Sequence, residues 1–122
     1  MDRGMAGTTG RDRLSVAVRH SGRSAIFTPA GELDHHTAEL LREPMERSVD
    51  DGFAKLVVDC SQLQFCDSTG LNVLLSARLK AAAAGGGVHL TGLLPTVSRV
   101  FEITGADAVF SVHDTLDEAL TE

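Results

Sequence analysis

The sequence contains no tryptophan and no tyrosine, and its only aromatic residues of the Phe, Tyr and Trp class are five phenylalanines. A hydrophobic core must therefore be built mainly from aliphatic side chains. Apolar residues make up 43% of the chain and charged residues 23%, which is typical of a soluble globular protein. A length of 122 residues corresponds to about one domain with one core.

Basic clusters and long apolar runs are also missing. Eleven Lys and Arg residues are scattered among 17 Asp and Glu residues, giving a net charge of −6, so we expect no nucleic-acid partner. No run approaches the roughly 20 apolar residues that a membrane span requires. The first 13 residues, MDRGMAGTTGRDR, lack the apolar segment of a signal peptide, so we expect a cytoplasmic protein.

Cysteine and histidine give no metal-binding pattern, and we expect neither a metal nor a cofactor. We expect Cys60 to fill space in a strand and Cys66 to be partly exposed, both as reduced thiols. His35 and His36 are adjacent, so on a helix they would point in different directions and chelate poorly. The other histidines occur singly, without ligand spacing: His20, His89 and His113.

The first 33 residues read as a tail followed by two strands. Residues 1–12 have no hydrophobic period and are predicted to be a disordered tail, with a single domain over 13–122. The segments LSVAVRH and AIFTPAGEL are separated by a turn and predict a β-hairpin. Pro29 lacks the N–H that a central strand uses, so it favours an edge or bulge position.

After the hairpin, strands alternate with helices. Residues 34–52 predict a helix that Asp34 or Thr37 can cap, with a bend or break at Pro44. KLVVDCS, VHLTG and VFSV predict further strands. Helices are expected from near Ser68, from Pro95 to Gly105, and after a capping Asp114. The apolar face of the helix that begins near Ser68 is predicted to contain Leu71, Leu74, Leu75, Leu79 and Ala82. The order ββαβαβαβα predicts an α/β fold: a mostly parallel or mixed sheet of four to five strands, an N-terminal hairpin and about four helices.

The stretch FCDSTGLNVLL places Asp67, Ser68, Thr69 and Gly70 in front of an apolar helical run. One interpretation is purely structural, since Asp67 or Ser68 can cap the helix for about 1 kcal/mol. One capping residue is enough, however, so at least one of the hydroxyls of Ser68 and Thr69 is not needed as a cap. Gly70 also lowers helix propensity by up to about 1 kcal/mol, and a partner's backbone could approach a residue without a side chain. The motif follows a strand, where ligands and partners bind in open parallel sheets.

A serine at this position is suited to phosphorylation. The phosphate adds about −1.5 to −2 charges, which a helix N-terminus tolerates through its dipole. Beside Asp67 and, by our expectation, near Asp34, it would enlarge a negative patch and repel a bound partner. The fold would persist while the interface is lost, which is the behaviour of a switch.

Three segments, taken together, resemble one family. VVDCSQLQFCDSTGLNVLL, GELDHHTAELL and RVFEITGADAVFSVHDTLDEAL are similar, in that order, to segments of the STAS domains, in particular of the bacterial anti-sigma factor antagonists. The resemblance spans roughly residues 14–121. Pro44 in the first helix, the extended tail and the Gly triplet before Val88 depart from the family pattern.

The resemblance implies specific roles. The family's phosphorylated serine falls on Ser68, with Thr69 as a secondary acceptor, and its acidic residue in the G-x-L-D segment falls on Asp34. The implied partners are an anti-sigma factor that is a serine kinase with a histidine-kinase-like ATP-binding fold, and a PP2C-type phosphatase. The unphosphorylated protein would bind the kinase and free the sigma factor. The predicted partner-binding residues are Asp34, Asp67, Ser68, Thr69, Gly70, Leu71 and Asn72.

Other functions fit less well. No G-x-S-x-G and no recognisable triad accompany Ser68, and no P-loop is present, so we expect no enzyme. Asp59 is interpreted as a loop anchor rather than a catalytic acid. The alternative is a different binding module, because STAS-like domains also serve as subunits of transporters or as scaffolds of larger signalling assemblies.

Overall fold

A computed structural model describes residues 13–121, so the predicted tail at 1–12 lies outside the described residues. The described part has six strands and four helices. The strands are β1 (Leu14–Ser21), β2 (Ser24–Leu33), β3 (Lys55–Asp59), β4 (Leu63–Cys66), β5 (Gly87–Thr91) and β6 (Ser111–His113). The helices are α1 (Ala38–Asp50), α2 (Ser68–Ala83), α3 (Pro95–Thr104) and α4 (Leu116–Thr121), with a 3₁₀ turn at Ala106–Ala108.

The strands form one mixed sheet in the order β1-β2-β3-β5-β6. β1 and β2 are the predicted antiparallel hairpin, and the other pairings are parallel. β2 has two parallel neighbours on the same side: its first half pairs with β3 and its last three residues pair with β4. The carboxyl ends of β2 and β4 therefore lie next to each other, and each leads into a helix. This arrangement confirms the predicted α/β class and hairpin.

The sheet has six strands rather than the expected four to five, because the segment between Cys60 and Ser68, for which the sequence predicts a short loop, contains β4. In β4, Leu63 and Cys66 are buried and the two residues between them are exposed, so the segment lacks the alternation that reveals a strand. Pro29 lies in an interior strand, not at an edge. It falls between the last β3 partner, Phe27, and the first β4 partner, Gly31, where no parallel neighbour needs its missing N–H.

Alternate residues of the central strands supply two cores. Phe27 and Val58 point into the larger one, which α1, α2 and α3 cover with buried side chains such as Leu41, Leu74 and Phe101. The neighbouring residues along each strand, Ile26 in β2 and Val57 in β3, point to the opposite face of the sheet and pack against Ala119 of α4. Helices thus cover both faces of the central strands, as expected for strands that are apolar on both sides.

The helices correct three further expectations. α1 is continuous through Pro44, so of the two predicted alternatives the break into two pieces is wrong. The buried face of α2 contains Ala77 and Ala81 rather than Leu79, which is 65% exposed. α4 is capped by Thr115, whose Oγ1 accepts the Glu118 N–H at 3.2 Å, and not by Asp114. α3 matches the prediction, with Pro95 in its first turn and a left-handed Gly105 at its end.

Candidate functional site

Asp67 caps α2, as predicted by one of the two alternatives, Asp67 or Ser68, that the sequence offered. Asp67 has extended backbone geometry, and its Oδ1 accepts the Gly70 N–H at 2.9 Å. Its own N–H donates to the carbonyl of Leu33 at the end of β2, at 3.1 Å. Since this carboxylate makes the capping bond, the two hydroxyls of the motif are not needed as caps.

Ser68 and Thr69 occupy the first two positions of α2, and both side chains are exposed. Within residues 13–121 the Ser68 hydroxyl makes no hydrogen bond. Asn72, one turn further along the helix, is also exposed. These three side chains form a polar surface, which we call the α2 tip, at the carboxyl edge of the sheet.

Gly70 and Leu71 do not belong to the α2 tip. A Cβ added to Gly70 would lie 2.7 Å from Cγ and 2.8 Å from the carbonyl oxygen of Leu33, and 3.1 Å from Sγ of Cys66. The glycine is therefore required by packing of α2 against the two strand ends, which is a structural reason that the sequence did not reveal. Leu71 is only 5% exposed and belongs to the main core, so its side chain is not at the surface where a partner was expected to bind.

Asp34 is buried, with 10% of its side chain exposed, and it organises the turn between β2 and α1. Its Oδ1 accepts the N–H groups of His36 at 2.9 Å and Thr37 at 3.1 Å. Its Oδ2 accepts from the guanidinium of Arg13 at 2.9 Å. Burial alone would raise the pKa of Asp34, but the two amide donors and the charge of Arg13 together hold that pKa below its usual value. No sequence pattern indicates Arg13 at this site, because the two partners are 21 residues apart.

The two strand-to-helix corners are joined, as expected for Asp34 and Asp67. The bond is made by the residue after Asp34: the backbone N–H of His35 donates to Oδ2 of Asp67 at 3.2 Å, and the His35 ring nitrogen Nδ1 lies 3.8 Å from the same oxygen. The rings of His35 and His36 contact each other, with centroids 3.9 Å apart. The expectation that they point in different directions is wrong, because both residues precede α1 and lie in a turn.

A groove of about 300 Å³ runs beside the α2 tip, between α1 and α2. Ala38 and Val73 contribute apolar surface to it, and it carries both charged and neutral polar side chains. Its lining residues are His35, Ala38, Glu39, Arg42, Thr69, Asn72, Val73 and Ser76. Two of the predicted partner-binding residues, Thr69 and Asn72, therefore share one concave surface.

The two cysteines are both buried free thiols. Burial, with a further contribution from the charge of Asp59, raises the pKa of Cys60 to about 12. Burial, followed by the charge of Asp67, raises the pKa of Cys66 to about 12. Cys60 is buried as expected, but it directly follows β3 and does not lie in the strand. Cys66 is not partly exposed: it faces the core from the end of β4.

Away from this site, the structure also shows the surroundings of Asp59 and of the His89–His113 pair. Asp59 anchors its loop as predicted, accepting the Ser61 N–H at 3.0 Å. His89 and His113 occur singly in the sequence, but the parallel pairing of β5 and β6 brings His89 Nδ1 to 3.0 Å from His113 Nε2. Across residues 13–121, no three His, Cys, Asp or Glu side chains are grouped as a metal site, and no helix has the length and apolarity to cross a bilayer.

The chain is similar to known proteins over most of its length. The family model of the STAS domain matches residues 15–119. The anti-sigma F factor antagonist of Paenibacillus polymyxa is 30% identical over 110 residues, which is 89% of this chain and 94% of that protein. The name of this relative describes antagonism of a protein, a binding role rather than an enzymatic one, and agrees with our prediction that the chain is not an enzyme.

Solved structures agree. An anti-sigma factor antagonist from Mycobacterium paratuberculosis has a TM-score of 0.82 and 29% identity, covering 93% of this chain and 97% of that one. The antagonist SpoIIAA in its unphosphorylated form has a TM-score of 0.77 and 27% identity, covering 87% and 93%. Its phosphorylated form has a TM-score of 0.71 at 24% identity, covering 88% and 97%, and shows the shared fold.

The same fold occurs in a larger protein of a different kind. The murine anion transporter Slc26a9 matches with a TM-score of 0.71 at 17% identity, but this chain corresponds to only 18% of the transporter. That likeness concerns the fold alone. From the match over residues 15–119 and the relative that is 30% identical along almost its whole length, the chain belongs to the STAS domain family, among the anti-sigma factor antagonists.

Proposed function

We propose that this protein acts in the cytoplasm as an anti-sigma factor antagonist and is switched by phosphorylation of Ser68. In its unphosphorylated form it binds an anti-sigma factor that is a serine kinase, and the sigma factor is released. Phosphorylation by that kinase ends the binding, and a PP2C-type phosphatase restores it. Thr69 is a secondary acceptor.

One observation carries this proposal: the cap of α2 is Asp67, while the adjacent Ser68 is exposed and makes no hydrogen bond within the described residues. A kinase can reach the hydroxyl without opening the fold. Because Ser68 holds no structural bond, its modification removes nothing from the helix N-terminus. A kinase can therefore reach Ser68, and its modification should not change the free energy of unfolding of the domain by removing a hydrogen bond.

The local charges favour a change in binding on phosphorylation. A phosphate brings about −1.5 to −2 charges next to the carboxylate of Asp67. The positive end of the α2 dipole offsets part of that charge, so the helix should persist. Asp34 adds little to the surface charge, since it is buried and paired with Arg13. The expected negative patch is thus formed by the phosphate and Asp67, at the edge of the groove where a partner would bind.

The relatives support the proposal in two ways. The antagonist of Paenibacillus polymyxa is named for action on an anti-sigma F factor. SpoIIAA, which shares this fold, exists in unphosphorylated and phosphorylated forms. A phosphorylation switch on the α2 tip would give this chain the same two states.

Phosphorylation is tested by incubating the protein with the kinase-type anti-sigma factor encoded nearest its gene, together with ATP and Mg²⁺. We expect a mass increase of one phosphate that Ser68→Ala abolishes. Thr69→Ala reports on the secondary acceptor. Ser111→Ala is the control, because Ser111 is an exposed serine in β6 that does not line the groove. Stoichiometric phosphate on Ser68→Ala, or none on the wild type with every such kinase of the organism, contradicts the proposal and favours a scaffold or transporter subunit.

Binding is tested by a pull-down with the same kinase. We expect Ser68→Ala to bind and not be released by ATP, and Ser68→Asp to keep the fold, by circular dichroism, while binding at least about tenfold more weakly, or about 1.4 kcal/mol. Asn72→Arg should also weaken binding, since it places a large cation in the groove. Leu79→Arg, on an exposed part of α2 outside that groove, is its control. Wild-type affinity of Ser68→Asp would contradict the switch.

A further inference from the structure

We propose that Arg13 is a positioning residue for the phosphorylation site: through Asp34 it holds the β2–α1 turn, and through that turn it holds the α2 tip. This inference rests on the proposed function of Ser68. It assigns to the residue directly before β1 a role in a site formed by two other segments of the chain.

The first step is the pair between Arg13 and Asp34. The guanidinium donates to Oδ2 of Asp34 at 2.9 Å, and a second, longer approach of 3.9 Å joins Arg13 to Glu32. Arg13 is 41% exposed at its side chain, whereas the carboxylate that it neutralises is 10% exposed. Among the residues described, Arg13 is the one cation paired with Asp34. Removing it would leave a buried carboxylate without its counter-charge, which is strongly unfavourable.

The second step is the turn itself. With Oδ1, Asp34 accepts the N–H groups of His36 and Thr37, and its own N–H donates to Thr37 Oγ1 at 2.9 Å. Thr37 Oγ1 in turn donates to the Glu32 carbonyl at 2.8 Å. The buried carboxylate is thus the centre of the bonds that fix the path of residues 34–37. An Asp34 that protonated or reoriented would lose the acceptor strength on which these bonds depend.

The third step is the contact with α2. His35 belongs to the turn just described, and its N–H donates to Oδ2 of Asp67 at 3.2 Å. The other oxygen of Asp67 caps Gly70, and Ser68 follows Asp67 directly. A shift of the turn would therefore move Asp67, and with it the backbone that presents the Ser68 hydroxyl. A displacement of about 1 Å at a reacting group can lower a rate by about a hundredfold.

The experiment compares Arg13→Gln with Arg13→Lys, which keeps the charge but not the planar fork. The control is Arg19→Gln, at an exposed position of β1, the strand that follows Arg13. Two measurements are made on each. Amide exchange by NMR follows the N–H groups of His35, His36, Thr37 and Gly70, with Val57 in the central sheet as a reference. Steady-state kinetics give kcat and KM for phosphorylation of Ser68 by the kinase.

For Arg13→Gln we expect exchange at the four corner amides to rise about tenfold while Val57 stays within about twofold of wild type. We expect kcat/KM for Ser68 phosphorylation to fall about tenfold, with Arg13→Lys intermediate and Arg19→Gln unchanged. Unchanged corner exchange overturns the inference. An equal rise at Val57 also overturns it, because it shows general destabilisation. Faster exchange at the four corner amides together with a wild-type kcat/KM also overturns the inference.

Failure of the two proposals can be told apart. If the wild type accepts no phosphate on Ser68, the proposed function fails. The exchange measurements then still decide whether Arg13 orders the α2 tip, since they require no kinase.

Discussion

The backbone N–H of His35 donates to Oδ2 of Asp67 at 3.2 Å, joining the turn after β2 to the first turn of α2. The two residues are 32 positions apart in the chain and meet because their strands are parallel neighbours. The other oxygen of Asp67 caps α2. One carboxylate therefore sets both the start of the helix and its position relative to the neighbouring corner, beside an exposed Ser68.

Replacing Asp67 should lower the free energy of unfolding, because the helix cap and the contact with His35 both depend on its carboxylate. Asp67→Ala removes the cap and the contact with His35, and we expect a loss of about 1–2 kcal/mol in the free energy of unfolding. Asp67→Asn keeps a carbonyl oxygen that can accept one of the two N–H groups, so a smaller loss of about 0.5 kcal/mol is expected. Urea denaturation measures both. Equal stability of Asp67→Ala and the wild type would mean that the cap is not formed in solution.

Gly70→Ala should destabilise the domain even though alanine is the better helix former. The new methyl group would lie within 3 Å of two Leu33 atoms, one of them a backbone oxygen that cannot easily move. We expect a loss of about 1–3 kcal/mol, which exceeds the gain of about 1 kcal/mol in helix propensity. Gly87→Ala is the matched control, because nothing lies within 4 Å of its added Cβ, and it should be close to neutral. Thermal melts of the two variants check that Gly70→Ala is the less stable of the two. An increase in stability for Gly70→Ala would contradict the packing described.

The acid stability of the protein should depend on Asp34. Its pKa is lower in the folded protein than in the unfolded chain, since burial is outweighed by the amide donors and Arg13. The ionised carboxylate therefore contributes stability above the unfolded pKa of about 4, and this contribution is lost as the pH falls through the folded pKa. Asp34→Asn should be less stable than the wild type at pH 7, and the difference should shrink below about pH 4. Asp107→Asn, an exposed carboxyl in the 3₁₀ turn, is the control. A difference that is constant from pH 7 to pH 3 would argue against an ionised, paired Asp34.

Both thiols should resist alkylation in the folded protein. Cys60 and Cys66 are buried, and the pKa of each is raised to about 12, so the reactive thiolate is scarce at pH 8. We expect iodoacetamide to modify the native protein at least about a hundredfold more slowly than the urea-unfolded protein. Residues 56–78 form one tryptic peptide that carries both cysteines, so fragmentation of that peptide by tandem mass spectrometry assigns the two sites, and Cys60→Ala isolates Cys66. Rapid native labelling of Cys66 would show that the end of β4 opens in solution.

Local features were predictable because they depend on neighbours in the chain. Strand alternation, the proline in the first turn of α3, the glycine at its end and the capping motif before α2 each involve a few consecutive residues. They gave the hairpin and the order of the helices. β4 escaped detection because its four residues do not alternate, and only its pairing with β2 defines it as a strand.

The sequence by itself determined the order of elements, the aliphatic character of the core and an acid, two hydroxyls and a glycine at the start of α2. Only the tertiary structure decided which of those groups are exposed, that Gly70 is needed for packing and that Leu71 is buried. It also brought Arg13 to Asp34 and His35 to Asp67. The physical reason is strand register. Antiparallel pairing of β1 with β2 brings Arg13 to Asp34, 21 residues away, and parallel pairing of β2 with β4 brings His35 to Asp67, 32 residues away. No local pattern encodes these distances.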